Sequence, residues 1–527
     1  MRFYRLIILA FACTVWLTAA PSISAVYNGA SWTPAGLPNS GIAQGSIFTL
    51  TGSGLGPLTL QQVQSYPLPA TNGLGGTTVR VTVGGATETC IMIYTTASQV
   101  AAILPSATPI GTGMLTLSYQ SASSSVSITV LSANFGTFTL NEAGSGPGVV
   151  TDTNYNPITY INTAHPGDTL ILWGTGLGAV GGDETEPPAE VDLGTGVQVL
   201  VGNQPATVLY GGRSSSPGLD QINFVVPSGA IGCKVSITAL VKGVTGNITT
   251  TSIGPAGQSV CSEPYAPAVA EILQKAISSG AATFGTVQMT RVGAQSDSLT
   301  AQFGSYPLNS LIRSNGGTFG PSIGSCMSYE TAGTTITVTD PVQPAFVDAG
   351  ADLIVNGPGG ATQNVPATST GNYQATLGTS IAPGAFGVRN GAGGSAVSAF
   401  TWSLMLPALV TPTNIPASVN RSQNLTLTWS GGSAYPVVTI FLYSGVPEGA
   451  SDSFATVLCD ADATSGTFTI PAAVLNLIPP KGYGAYGTQG LDIQIAGVAV
   501  ATYTAASGLD VGALSMFATS GAIATIQ

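Results

Sequence analysis

The sequence predicts an all-β chain of tandem sandwich domains with one short linker helix, and three observations carry that expectation. Short runs of Val, Ile, Thr and Leu recur between Gly, Pro and Asn, the punctuation of strands and turns. Apolar spacing of the helical kind is nearly absent. A glycine-punctuated stretch occurs twice: GSIFTLTGSGLGPL (residues 45–58) returns 122 residues later as GDTLILWGTGLGAV (residues 167–180). Gly45, Leu50, Gly52, Gly54, Leu55 and Gly56 fall on Gly167, Leu172, Gly174, Gly176, Leu177 and Gly178. TTVRVTVGG and QVAAILPS are answered in turn by TGVQVLVGN and QINFVVPS, so one folded unit is used twice.

In chain order, residues 1–25 read as a secretory signal peptide, with Arg2 and Arg5 before an apolar stretch and Ser22, Ser24 and Ala25 as small residues for cleavage. Cys13 does not suit lipidation, because Phe11 stands where a small residue is needed. No later segment offers ~20 uninterrupted apolar residues, so no transmembrane span is expected. Residues 26–133 form the first repeat. In it Val79, Val81 and Val83 should face a core while Arg80 and Thr82 face away. Residues 134–262 form the second. It adds GGRSSSPGLD (residues 211–220), whose composition predicts an exposed turn, and an acidic loop, GGDETEPPAEVD.

The string Gly-x-x-hydrophobic-Gly-Ser/Thr-Gly-Leu-Gly followed by Val-x-Val-x-Val-Gly resembles the IPT/TIG type of immunoglobulin-like domain. The fuller HPGDTLILWGTGLG, VQVLVGNQPATVLYGGR, PGLDQINFVVP and Gly232-Cys233 is similar to an uncharacterised module repeated in secreted acidobacterial proteins. The likeness covers residues 26–262, loosely in the first repeat, which has no counterpart of Arg213 or of Pro217 to Asp220. It implies immunoglobulin-like sandwiches and export. It implies no activity.

Residues 263–282 are a linker with the one convincing helix. Val269, Ile272, Leu273, Ala276 and Ile277 make an apolar stripe, Pro267 suits the first turn, Glu271 and Lys275 are spaced to pair, and Gly280 stops it. So short a helix must dock on a neighbour, here between the two halves of the chain. Residues 283–406 and 407–527 read as a third and a fourth β-sandwich, similar to the region that accompanies the module in the same secreted proteins.

Charge narrows the partners. Without Arg2 and Arg5 the chain holds ten basic against 23 acidic residues, a net charge of −13. Such a chain repels phosphate backbones and anionic lipid, so nucleic acid is not expected as a partner and membrane surfaces are poor candidates. Its surface must be covered by hydroxyls, amides and backbone. Of the five cysteines after the leader, Cys233 and Cys261 bracket two strand-like runs and could clip them, with about 3–4 kcal/mol of stabilisation on the chain-entropy model. Cys326 and Cys459 are then the remaining pair, and Cys90 the odd thiol.

Several motifs imitate chemistry. Gly176-Leu-Gly178-Ala-Val-Gly181 fits G-x-G-x-x-G, but carboxylates and prolines follow where a helix and a phosphate would sit. Gly320-Pro-Ser322-Ile-Gly324 fits G-x-S-x-G, but the single histidine, His165, lies upstream and no helix pattern follows. Asp183, Glu184, Glu186, Glu190 and Asp192 could hold calcium or simply be a solvated loop. Asp460 and Asp462 suit a hairpin turn. Tyr483 and Tyr486, in KGYGAYGTQG, are candidate platforms for sugar rings, whereas Trp173, Trp402 and Trp429 belong to strands. No cofactor is expected. The expected function is that of a secreted non-enzymatic protein for extracellular adhesion, matrix building or binding of a ligand, glycan or protein. The alternative is a polysaccharide-acting hydrolase or its accessory module.

Overall fold

The chain was analysed as a computed structural model that describes residues 20–188, 191–194, 196–292, 297–314, 320–332, 344–378, 380–448, 451–484, 488–503 and 506–527. It is nearly all-β, with its strands gathered in several sheets and few helices. In repeat 1 one sheet has the order Ser22–Asn28, Ile47–Ser53, Gln99–Ile103, Ile91–Thr95, Gln61–Gln62. It faces a second of order Ile42–Ala43, Ala122–Leu131, Gly111–Tyr119, Thr77–Val83, Ala86–Thr89. Val79, Val81 and Val83 are buried between them with Phe48, Leu50 and Leu115, and Arg80 is exposed. The first strand takes in residues 22–25, which the sequence reading gave to the leader: Ser22 pairs with Ser53, and Ile23 and Val26 pack on the core. Residues 1–19, the rest of that leader, lie outside the described residues.

Repeat 2 repeats the plan with one difference. Its strand Gln204–Arg213 is continuous, pairing with Val197–Val201 at its start and, past an irregularity between Val208 and Tyr210, with Asp220–Val225 at its end. The counterpart in repeat 1 is interrupted at Cys90, between Ala86–Thr89 and Ile91–Thr95.

Helix α1 (Ala268–Ser279) ends where Gly280 turns left-handed, φ 82°, with its N–H on the Ala276 carbonyl. It docks on two sides. Leu273 packs with Tyr160 and the Cys233–Cys261 pair of repeat 2, and Ile272 and Ala276 pack with Ala282 and Val511 of the C-terminal half. Lys275 reaches Asp510, 3.3 Å away, rather than Glu271, and Ile277 is exposed because the neighbours cover only part of the stripe. Two shorter helical segments, Leu308–Arg313 and Ala472–Leu475, were not anticipated.

The sequence divides the C-terminal half at residue 406, yet strands from both sides of that point share a sheet. Ala281–Arg291 lies antiparallel to Ser298–Pro307 and parallel to Val511–Ala518, so the first strand after the linker is sealed by one of the last. One buried cluster runs from Val287 and Met289 through Phe303 and Trp402 to Ile440 and Leu514. Ala281–Arg291 buries alternate side chains and needs a partner along each edge, a demand that local pattern cannot assign. Both disulfides form as the cysteine count suggested, Cys233–Cys261 and Cys326–Cys459, and Cys90 is buried and free.

Candidate functional site

Motif residues gather in two buried polar junctions between units, and an open groove lies apart from them. The first junction holds repeat 2 to repeat 1. Arg213 and Asp220, both within the stretch expected to be an exposed turn, are buried at 1% and 0% exposure. Arg213 Nε donates to Asp220 Oδ1 at 2.6 Å, and its Nη2 donates to the Gly45 carbonyl of repeat 1 at 2.9 Å. The other carboxylate oxygen of Asp220 accepts from the amides of Gly176 and Leu177 at 2.7 and 2.8 Å. The G-x-G-x-x-G amides that a phosphate would need therefore serve an internal carboxylate. The strand before them, Thr169–Thr175, is antiparallel to its neighbour Asp220–Val225. Burial pushes the Asp220 carboxyl up, and Arg213 with the two amides opposes it.

Members of the acidic loop join the same contact. Glu184 accepts from the Ser106 amide at 2.8 Å and its hydroxyl at 2.7 Å, both in repeat 1. Asp183 caps Thr185, and Asp192 accepts from the Gly194 amide. Glu190 lies outside the described residues, among which no group of three or more His, Cys, Asp or Glu could hold a metal.

The second junction holds repeat 2 to the C-terminal half, and Ser322 of the G-x-S-x-G motif sits in it. Ser322 is fully buried; its hydroxyl donates to Glu263 and accepts from the Lys234 amide at 2.8 Å. Glu263 also takes the Cys233 amide at 2.7 Å, and Tyr265 donates to the Pro321 carbonyl at 2.8 Å. Asp460 is buried and accepts from Thr439 at 2.6 Å. Burial raises Asp460 to about 7, raises Glu263, and lowers Lys234 to about 8, the last opposed by the two carboxylates nearby. Ser322 thus has no open approach and no histidine. His165 is far from it in role, bound to Asp168 at 3.3 Å and to the Gln258 carbonyl at 3.3 Å. Asp462 caps a turn through the Thr464 amide at 2.8 Å.

Of the proposed sugar platforms, Tyr483 meets Phe454 edge-on, with centroids 6.0 Å apart and its hydroxyl enclosed. Burial is the first cause that raises it to about 12. Tyr486 lies outside the described residues. Trp402 and Trp429 are buried and Trp173 half-buried.

Sequence reasoning missed an open groove of about 380 Å³ along residues 414–426. Its rim carries the amides of Asn414, Asn420, Gln423, Asn424 and Gln527, over a base of Ile415, Pro416, Val419 and Leu425. The only sequence signal was a density of Asn and Gln that reads as ordinary turn composition.

No family model and no curated protein matches the chain. Solved structures similar to the chain include tandem immunoglobulin domains and surface-layer proteins. A Bacteroides ovatus mixed-linkage glucan utilization locus protein, SGBP-B, solved with a heptasaccharide, is 9% identical over 86% of this chain and 98% of its own, TM-score 0.15. Domains 5–6 of the S-layer protein SbsC are 15% identical over 45% and 99%, TM-score 0.15. Immunoglobulin domains 1–4 of Sidekick-1 are 10% identical over 94% and 98%, TM-score 0.13. Scores this low carry no argument about what the chain binds.

Proposed function

We propose that the chain is an exported, non-enzymatic scaffold of packed sandwiches that binds a ligand at the cell surface or in the extracellular matrix. One observation carries the reading: the serine that a motif offered as a nucleophile and the ionisable side chains around it are buried and consumed in contacts between units. Ser322, Glu263, Lys234 and Asp460 fasten repeat 2 to the C-terminal half, and Arg213 and Asp220 fasten it to repeat 1. A general base must reach a substrate proton, and these groups reach only protein. Two disulfides suit an oxidising, extracellular setting.

The test is to screen the purified chain on arrays of glycans and of extracellular proteins, and in parallel against a panel of glycoside substrates. Saturable binding without turnover is expected. Hydrolysis that disappears on changing one carboxylate would overturn the reading in favour of a polysaccharide hydrolase.

A further inference from the structure

We infer that the groove at residues 414–426 is a binding site for a neutral, polyhydroxylated ligand, a short stretch of uncharged glycan; the inference rests on the binding function proposed above. Three features lead to it. The first is charge: among the described residues no Lys, Arg, His, Asp or Glu lines the groove. Arg421, within the same stretch of chain, is half-buried and donates to the carbonyls of Leu475 and Asn476 at 3.4 and 3.1 Å. An anionic ligand would lose hydration there without a counter-charge.

The second is the set of hydrogen-bonding groups. Asn420 Oδ1 accepts from the Ser422 amide and Asn424 Oδ1 from the Ala472 amide, both at 2.9 Å. Their oxygens are thereby fixed. Among the hydrogen bonds of the described residues, the Nδ2 groups of Asn420 and Asn424 and the whole Gln423 amide have no protein partner, and all three side chains are exposed. Oriented amides beside an apolar base of Ile415, Pro416, Val419 and Leu425 match hydroxyls around a ring whose C–H face is apolar. The volume of about 380 Å³ falls in the range of small-ligand sites.

The third is rigidity and a closed edge. Asn414 bonds the Thr426 carbonyl at 3.2 Å and the Thr428 amide at 2.5 Å, tying one wall to the strand Leu425–Ser430. Thr467–Ile470 pairs with it along Leu425–Thr428; on the other edge Thr411–Pro412 covers Trp429 and Ser430, and the Asn414 side chain occupies the Thr426 carbonyl and the Thr428 amide. A peptide therefore has no free edge of this strand to extend, which favours a ligand read by side chains.

The experiment is calorimetry and array binding of the full chain with neutral gluco-, manno- and galacto-oligosaccharides, with polygalacturonate as the anionic probe. Gln423→Ala and Asn420→Ala, both at exposed sites, are compared with the parent, and far-ultraviolet circular dichroism verifies folding. The inference expects a neutral oligosaccharide to bind, and each variant to weaken it about fivefold to tenfold, the worth of one or two hydrogen bonds. Binding that both variants leave unchanged, or binding of polygalacturonate alone, overturns the groove assignment while the proposed function stands. Retention of an extracellular protein with no glycan also overturns the assignment. Absence of every partner on both arrays removes the function reading itself, and the assignment with it.

Discussion

In repeat 1 the amide of Leu55 meets the Ala97 carbonyl at 3.0 Å; in repeat 2 the amides of Gly176 and Leu177 meet the Asp220 carboxylate. The glycine turn is the same and its anchor is not. Repeat 1 has no counterpart of Arg213: by strand register its Thr95 falls on Gly211, and the Thr95 hydroxyl pairs locally with Thr77 at 3.1 Å. Arg213 instead leaves its own unit and takes the Gly45 carbonyl of repeat 1. Gly218, from the same added stretch, packs against Ile47 and Ile103, and the Thr175 hydroxyl bridges the Gly218 carbonyl and the Ile47 amide at 2.6 and 2.8 Å. What the second copy adds to the shared plan is a clamp on the first.

The largest test of that difference is Arg213→Met. It strands the Asp220 carboxylate in the interior and is expected to cost about 3–5 kcal/mol in denaturant unfolding. Thr95→Val, at the corresponding edge of repeat 1, loses one neutral hydrogen bond and should cost about 0.5–1.5 kcal/mol. Equal costs would erase the distinction between the repeats. Next comes the disulfide that only repeat 2 carries. Cys233→Ala together with Cys261→Ala, 28 residues apart, should cost about 3 kcal/mol by the loop-closure argument, read from the same unfolding curves.

A pH series sharpens the contrast between the two junctions. Asp460, held up to about 7 by burial, favours the protonated folded state, so its contribution is complete below the ordinary carboxylate range and lost as pH rises through about 7. Lys234, lowered to about 8, acts oppositely: its contribution is complete above the ordinary lysine range and lost as pH falls through about 8. Between those values both carry charge. Asp460→Asn keeps an acceptor for Thr439 and should remove roughly 1–3 kcal/mol of the acid-side gain in stability between pH 7 and 5. An unchanged difference between the two pH values would show that Asp460 is ionised throughout.

The smallest expected effect is that of salt. Outward faces are joined by hydroxyl pairs, such as Thr82 with Thr87 and Thr116 with Ser125 at 2.8 Å and Thr426 with Thr469 at 2.9 Å. Among the described residues the ion pairs outside the buried Arg213–Asp220 contact are those of His165, Lys275 and Arg291. Raising salt from about 0.05 to 0.5 M should therefore shift unfolding by less than about 0.5 kcal/mol.

Strands were legible where alternation is strong, as at Val79, Val81 and Val83, and so were the two disulfide pairs. The added stretch at residues 211–220 was misread because Ser, Pro and Gly mark a turn without saying whether another unit sits upon it. Pro217 and Gly218 are buried by repeat 1, which local composition does not encode. The parallel partner of Ala281–Arg291 was illegible for the same reason: it lies more than two hundred residues along the chain. Ser322 and Asp460 looked like a motif and a turn because their burial is set by three segments meeting. The groove escaped notice because exposed Asn and Gln carry no period.

The central claim is that Arg213 binds the two repeats into one cooperative unit. Native-state hydrogen exchange on the Arg213→Met variant tests it most directly, read at the strands Ile47–Ser53 of repeat 1 and Thr169–Thr175 of repeat 2. Protection should fall together in both strands. Loss confined to Thr169–Thr175, with Ile47–Ser53 exchanging as in the parent, would contradict the claim.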